Sequence, residues 1–383
     1  MNCASDNLTI ASAMTTFWRV IVSPPRALSL HTLPAFVQWL LLLVLAGGVG
    51  QGLRSAEVPA GQFLGPMLVA IGFAVSGASI SVPKVLFKLG QGSVGALVAH
   101  SISLAVLLSL AQSWQMMLLA TLLTVSLSAL VGLGLVRFAG LSASTAAWGT
   151  APGAASAIVG MAEEQGADAR VVATMQYVRV VCVVVVGALV SRLLGVEGGA
   201  SEVHAAPFVF DLETLFNLFA SLAVIASGVL LGVRLPAGAL LLPLFLGGVL
   251  QASGLVEIHL PAALLAVAYG AIGCYVGLRF DRPTLRYVWS RLPAMVLGAL
   301  VLIVLCATSA WLIAHWLDMD FLSVYLATSP GGLDAMAIIA VDTQSDVGLV
   351  LAMQTLRLLG VVLTGAFFAR LIVRLSVARP GVD

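Results

Sequence analysis

An aspartate, a methionine-glutamine pair and an arginine recur with the same spacing in two apolar segments. The two sets are Asp168, Met175, Gln176 and Arg179, and Asp346, Met353, Gln354 and Arg357. Spacings of seven and eleven residues place the aspartate, the methionine and the arginine on one helix face. An arginine in the middle of a membrane helix costs about 2.5–3.5 kcal/mol and therefore needs a partner or water. Its planar fork suits a carboxylate or a phosphate. The pattern predicts either an anion-binding group or a buried ion pair with an aspartate.

A proline-glycine step precedes each of these sets. The sequence reads Pro152-Gly153-Ala154 in the first case and Pro330-Gly331-Gly332 in the second. Proline ends a helix before it and suits the first turn of the next, so we expect each segment to break there. The freed N–H groups carry partial positive charge, and paired broken helices mark the substrate site of many secondary transporters. The alternative is a kink that aids packing, but two equivalent motifs favour a site.

One acidic residue follows the second proline-glycine step by a single helical turn. Asp334 stands where the first segment has Ser156. A carboxylate at this position can bind a proton or a cation, or it can cap the start of the new helix. The predicted substrate-binding residues are Pro152, Gly153, Ala154, Gln176, Arg179, Pro330, Gly331, Gly332, Asp334, Gln354 and Arg357.

The amino-acid composition indicates which environment surrounds these residues. Hydrophobic residues make up 60% of the 383 residues, charged residues only 9%, and the mean hydropathy is +1.09. A soluble domain carries about a quarter charged residues. Apolar runs of roughly twenty positions have the length of membrane helices rather than the alternation of barrel strands. The sequence predicts an all-α polytopic membrane protein, and its net charge of +1 offers no basic field for nucleic acid.

The chain contains an internal repeat. A shift of 178 positions places Thr150-Ala151-Pro152-Gly153 on Thr328-Ser329-Pro330-Gly331, and a shift of 177 aligns two Pro-Ala-Gly-x4-Pro motifs. Apolar segments are expected near 33–53, 60–77, 83–110, 114–136, 144–161 and 170–195, and again near 212–233, 237–254, 261–279, 292–314, 321–340 and 347–374. The predicted organisation is an N-terminal cytosolic arm (1–30), a first membrane repeat (31–195), a linker loop (196–211), a second membrane repeat (212–375) and a C-terminal tail (376–383).

The placement of lysine and arginine predicts that the two repeats are inverted. The loop 279–291 is basic, whereas its counterpart 101–113 has no charge, and the acidic linker 196–211 lacks lysine and arginine. Basic loops favour the cytoplasmic side. If each broken fifth segment enters and leaves on one face, each repeat crosses the membrane five times and the second repeat is inverted. Parallel repeats of six spans are the alternative, and they would place the basic loop outside.

These motifs resemble the AbrB family of bacterial membrane proteins, which is built from two "AbrB duplication" units. The resemblance covers about residues 33–375 and is carried by the PAG-x4-P pair, the TAPG and TSPG motifs and two D-x7-Q-x2-R stretches. Members of the family are labelled as regulators of gene expression, as ammonia monooxygenases or as transporters. This chain has Pro-Gly-Ala-Ala in the first repeat where the family tends to Pro-Gly-Gly, which leaves the first site less defined than the second.

A secondary transporter of a small solute is the function that the sequence favours. The helix starts and the two arginines favour an anionic group, and without an ATP-binding motif we expect ion coupling or facilitated passage. The alternative is a membrane sensor or regulatory protein that acts on gene expression through a partner. A monooxygenase is disfavoured because the five histidines form no ligand spacing, so we expect no enzyme activity and no cofactor.

The resemblance and the charge placement also predict where the protein lies. We expect a multi-pass protein of the bacterial inner membrane with both termini in the cytoplasm. Membrane lipid and an unknown small solute are the expected partners, and a homo-oligomer is compatible with the sequence.

Overall fold

The computed structural model describes residues 30–99, 114–153, 155–196, 212–232, 238–258, 260–280, 282–358 and 360–361. Within these residues every regular element is a helix. The predicted N-terminal arm and linker lie almost entirely outside the described residues, and the C-terminal tail and the predicted site residue Ala154 lie wholly outside them.

The helices of the two halves have matching bounds. The first half contains α1 (Ala35–Ser55), α2 (Gly61–Val75), α3 (Lys84–Ala99), α4 (Trp114–Ala139), α5 (Ala143–Thr150), α6 (Ala155–Glu164) and α7 (Ala169–Leu193). The second half contains α8 (Leu212–Leu231), α9 (Gly238–Ala252), α10 (Ala262–Gly277), α11 (Arg282–Val288), α12 (Leu292–Leu317), α13 (Phe321–Thr328), α14 (Leu333–Asp342) and α15 (Val347–Leu358). When the starts of α8–α10 and α12–α15 are shifted back by 177 or 178 positions, they coincide with the starts of α1–α7. The short α11 has no described counterpart, because residues 100–113 lie outside the described ranges.

Several of these helices are long and apolar enough to cross a membrane. In the described part of the chain, four pass this test: Ala35–Ser55, Met117–Ala139, Ala169–Leu193 and Leu292–Leu317. The bent pair α10 and α11, with 49° between them, adds a fifth candidate. Large apolar side chains on these helices face outward, as Phe36, Phe138 and Trp316 do at 76%, 87% and 80% exposure. Such surfaces need lipid as their solvent, so the chain is a polytopic all-α membrane protein.

The described helices form two bundles. The first bundle, which we call the outer bundle, consists of α1–α3 and α8–α10, and the second, the hairpin bundle, consists of α4–α7 and α11–α15. The most extensive packing across the boundary in the described part joins α3 to α14. Each bundle therefore takes helices from both halves of the chain, and the boundary between the bundles does not follow the boundary between the repeats.

Glycines allow the halves to interlock in the outer bundle. A Cβ on Gly95 of α3 would lie 2.2 Å from the carbonyl oxygen of Leu240, and a Cβ on Gly273 of α10 would lie 2.4 Å from that of Phe63. The two contacts are equivalent, because each joins the third helix of one half to the second helix of the other. Both glycines lie on helix-packing faces, since only glycine permits so close an approach.

Candidate functional site

Both fifth segments are broken at their proline-glycine steps. In the first half, Ala151-Pro152-Gly153 separates α5 from α6, and in the second half Ser329 to Gly332 separates α13 from α14. The predicted breaks are confirmed. Each new helix begins two residues after the proline-glycine step, so the N–H groups at its start are free of intrahelical partners.

The two helices of each broken segment form a hairpin that returns to its starting face. The hydroxyl of Thr145, near the start of α5, accepts a hydrogen bond of 3.2 Å from the backbone N–H of Asp168, just before α7. In the second half, Ser323 at the start of α13 accepts one of 2.8 Å from the N–H of Asp346. Each segment thus enters and leaves at the same end, as five crossings per repeat require. The orientation of the repeats in a membrane stays a prediction.

The breaks lie deep inside the molecule. Helix α13 has eight residues, so Thr328 lies about 12 Å from the base of the hairpin at 1.5 Å per residue. Arg179 lies a comparable distance along α7 from Asp168, which caps that helix by accepting from the N–H groups of Arg170 and Val171. With an apolar core about 30 Å thick, both positions fall near the middle of a membrane.

In the first half, Gln176 and Arg179 hold the end of α5. The side-chain N–H groups of Gln176 donate to the carbonyls of Trp148 at 2.9 Å and Ala151 at 3.0 Å. The guanidinium of Arg179 donates to the carbonyl of Ala151 at 2.8 Å and to Oε1 of Gln176 at 2.8 Å. Both side chains are buried. We call this pair the first clamp.

In the second half, Gln354 and Arg357 make the equivalent second clamp. Gln354 donates to the carbonyls of Leu326 at 2.8 Å and Ser329 at 3.3 Å. Arg357 donates to the carbonyl of Gly331 at 2.8 Å, and also to the carbonyl of Ser329 and to Oε1 of Gln354. A helix end leaves carbonyls without partners and carries partial negative charge, so the clamps supply both the missing donors and a compensating positive charge.

The hydrogen-bond partners of both arginines are backbone carbonyls and glutamines, with no carboxylate among them. The sequence pattern suggested a ligand or an aspartate as the partner, and the described contacts show a third arrangement. The Nε–H of each arginine is buried without a hydrogen-bond partner. Arg179 and Arg357 are also near enough for their charges to interact, with the thiol of Cys306 close to both. The centre of the hairpin bundle therefore holds two positive charges and lacks a described anion to balance them.

The predicted site residues divide into buried and accessible groups. Pro152, Pro330 and Gly331 are buried together with the clamps, whereas Gly153, Gly332 and Asp334 remain half-buried. Each break touches the other half of the chain: a Cβ on Gly332 would lie 3.9 Å from Val180 of α7, and one on Gly153 would lie 3.5 Å from Val361. The structure thus brings the two breaks to one region, with the start of each second helix as its accessible part.

Asp334 makes a contact that the sequence did not predict. The side-chain amide of Gln91, on α3, donates to Oδ1 of Asp334 at 3.0 Å and to Oδ2 at 2.9 Å. The contact joins the outer bundle to the hairpin bundle. Gln91, one of the few polar residues inside α3, was the available signal, but nothing in the sequence connects it to a carboxylate 243 positions away. Among the described residues, no three His, Cys, Asp or Glu side chains come together as metal ligands would.

Comparison with known proteins identifies the family. The family model described as "Transition state regulatory protein AbrB" matches residues 63–373. A protein of Escherichia coli (strain K12) named "Putative regulator AbrB" is 40% identical over 338 residues, which cover 88% of this chain and 97% of the relative. "Uncharacterized protein YhjN" of Bacillus subtilis (strain 168) is 25% identical over 364 residues, or 87% of this chain and 92% of the relative. No solved structure matches. The chain therefore belongs to the AbrB family of membrane proteins.

Proposed function

We propose that the protein is a secondary transporter that carries a small anionic solute. The observation that supports this proposal is the pair of hairpins, each broken at an equivalent step and each held by a clamp. Irregular backbone at membrane depth is tolerated only where protein buries it or where it lines a cavity. Paired broken helices in duplicated membrane proteins surround the substrate of many secondary transporters. A structure that served only to anchor the chain would have no need of two such breaks.

The charges around the breaks favour an anion. The starts of α6 and α14 offer free N–H groups, and two buried arginines lack a carboxylate partner among the described residues. At the start of α14 the carboxylate of Asp334 already meets this positive end. The equivalent position at α6 is Ser156 in the sequence, which leaves the positive end of α6 without an internal anion from that position. We therefore expect the solute to bind at the start of α6, with the second hairpin opposite.

The predicted site residues take different roles in this proposal. Gly153 and Gly332 offer backbone N–H groups to the solute, whereas Pro152, Pro330 and Gly331 set the breaks. Asp334 places a carboxylate at the start of α14, in the second hairpin. Gln176, Arg179, Gln354 and Arg357 position the breaks and supply positive charge from behind, because their N–H groups are largely engaged with carbonyls.

Binding and uptake test the proposal together. The purified protein would be screened by thermal shift against small carboxylates, sulfonates and phosphates, and a stabilising anion would then be used in proteoliposome uptake. Arg179→Gln should abolish uptake, since it removes charge at the site. Arg192→Gln should leave uptake unchanged, because Arg192 lies exposed at the far end of the same helix. Equal uptake by both variants and the unmodified protein would refute the role assigned to Arg179.

A regulatory role is the second candidate, and the comparisons favour it by name. The family description and the Escherichia coli relative both carry the word "regulatory" or "regulator". A regulator of gene expression embedded in a membrane would act through a partner protein. Purification of a stoichiometric partner from mild detergent, together with the absence of anion-dependent stabilisation and uptake, would favour this candidate over transport.

The proposal places the protein in the bacterial inner membrane, with both termini in the cytoplasm and the repeats inverted. We expect it to act without enzymatic chemistry, in contact with lipid, and a homo-oligomer is compatible with the lipid-facing outer bundle.

Thiol labelling tests the inverted arrangement. Single cysteines would be placed at Ser201 in the linker and at Ser290 in the basic loop of a cysteine-free protein, and intact cells would be treated with an impermeant reagent. We expect labelling at position 201 alone. Labelling of both positions, or protection of both, would contradict the inversion.

A further inference from the structure

The contact between Asp334 and Gln91 lies at the boundary between the outer bundle and the hairpin bundle. Helix α14 is otherwise shielded, since every residue from Ala335 to Ala340 has an exposed fraction of 3% or less. Asp334 and Gln91 are half-buried, in contrast to these residues. Because Asp334 lies at the most extensive described contact between the bundles, the environment of its carboxylate depends on how the bundles are arranged.

No cation pairs with this carboxylate in the described part of the chain. The titratable and charged groups on the elements packed around α14 are Lys84 and Lys88 on α3, Arg170, Tyr177, Arg179, Cys182 and Arg192 on α7, Tyr325 on α13, and Asp342 on α14 itself. Among the described residues, only Gln91 makes a hydrogen bond to the side chain of Asp334. A shielded carboxylate avoids the cost of an isolated charge through an ionic partner or through a proton. Apart from the partial positive charge at the start of α14, no ionic partner among the described residues meets this carboxylate, so a proton can take that place.

The amide of Gln91 can serve both protonation states of Asp334. Its N–H group donates to the ionised carboxylate, as seen here. After a turn of the amide, its carbonyl oxygen can accept a hydrogen bond from the O–H of the protonated acid. A metal cation would instead need several oxygen ligands, and among the described residues Gln91 alone contributes a hydrogen-bonding group to the side chain of Asp334. The surroundings of this carboxylate therefore suit a proton better than a metal ion.

We propose that Asp334 is a proton-binding site at the boundary of the two bundles and that its protonation loosens their contact through Gln91. A proton from water adds to one carboxylate oxygen, and nothing is oxidised or reduced. Hydrogen bonds to a charged acceptor are roughly twice as strong as neutral ones, so the bond to Gln91 weakens when the charge is lost. The use of this proton as the coupling ion rests on the proposed transport function, whereas the binding site itself does not.

Infrared difference spectroscopy of the full-length protein in lipid tests the proposal. Acidification should produce the carbonyl stretch of a protonated carboxylic acid, and Asp334→Asn should lose one such band. Gln91→Leu should keep the band but move its midpoint upward by about one pH unit, because the donor that stabilises the carboxylate is gone. The matched control is Asp318→Asn, an exposed aspartate with φ of 52°, where asparagine is readily accommodated.

Three outcomes would overturn the proposal. The first is an unchanged spectrum in Asp334→Asn, which would show that the protonated acid is another group. The second is a loss of the band when sodium replaces choline as the buffer cation at constant pH. This result would show that a metal cation binds the carboxylate. Should Asp334→Asn fail to give a monodisperse protein, an unmoved midpoint in Gln91→Leu would decide against the proposal by itself.

The proton site and the transport function fail in distinguishable ways. A band that depends on Asp334 in a protein that moves no anion would leave the proton site standing and refute the transporter. Anion uptake by a protein whose acid band is unchanged in Asp334→Asn would support the transporter and refute the proton site. If both hold, uptake by Asp334→Asn should lose its dependence on an imposed pH gradient, while Asp318→Asn should retain it.

Discussion

The two hairpins share one frame but differ in how they are surrounded. In the second hairpin, every residue from Leu322 to Ala340 is buried except Gly332 and Asp334. In the first hairpin, α5 is buried near its end, but α6 has Val159 half-buried and Glu163 exposed. The same fold unit is thus enclosed by the rest of the chain on one side of the molecule and more open on the other.

The comparison separates what the two halves of the chain share from what differs between them. The clamps are equivalent in residue type and in position, and both hold the corresponding carbonyls of Trp148 and Leu326 and of Ala151 and Ser329, so the broken geometry is common to both halves. The residue that meets the start of the second helix differs, with Ser156 in one half and Asp334 in the other. Its partner differs as well, because the position equivalent to Gln91 is Tyr269, whose hydroxyl is buried without a hydrogen-bond partner. The halves share their architecture and diverge in the chemistry at one helix start.

The largest expected effect comes from removing an arginine of a clamp. Arg357→Ala leaves the carbonyls of Ser329 and Gly331 without this donor in a fully enclosed hairpin, and we expect a loss of about 3 kcal/mol. Arg179→Ala should cost less, because a carbonyl that Arg179 holds belongs to Ala151, which is half-buried, whereas Ser329 and Gly331 are buried. Thermal unfolding followed by a thiol-reactive dye can report this, since Cys274 and Cys306 are buried. Equal losses of stability in the two variants would contradict the expected difference between the hairpins. The control is Arg192→Ala, at an exposed position.

A smaller and symmetric effect is expected in the outer bundle. Gly95→Ala and Gly273→Ala each bring a methyl group against a backbone carbonyl of the other half, and each should cost about 2 kcal/mol. The control is Gly72→Ala, where nothing lies within 4 Å of the added methyl group and alanine favours the helix. Comparison of unfolding temperatures would show whether the halves interlock equally. A large difference between the two glycine variants would contradict the equivalence of their contacts.

The smallest effect is expected at the bases of the hairpins. Ser323→Ala removes the acceptor of a 2.8 Å hydrogen bond from the N–H of Asp346, and Thr145→Val removes the equivalent bond of 3.2 Å to Asp168. Each change should cost about 1 kcal/mol, with the larger loss at Ser323, where the bond is shorter. Hydrogen exchange at the N–H groups of Asp346 and Asp168 offers a local measurement. Faster exchange at Asp168 than at Asp346 in the two variants would reverse the expected order.

The sequence was sufficient to predict the elements that depend on local chemistry. Proline followed by glycine favours a break between two helices, so the breaks after Thr150 and Thr328 could be placed correctly. The partners of the arginines could not, because the carbonyls they hold become available only once each break exists in three dimensions. The Gln91–Asp334 contact depends on packing between helices far apart in the sequence, and a single glutamine in an apolar helix has many conceivable partners.

The interlocking of the outer bundle has a consequence for how the protein is made. Gly95 and its neighbours on α3 leave the ribosome well before Leu240, the residue against which they pack. The newly inserted first half must therefore wait in the lipid with its glycine face uncovered until α9 and α10 have been translated. Assembly of the outer bundle is then a late step of biosynthesis, and a chain terminated between the two halves would expose that face to lipid and to quality-control proteases.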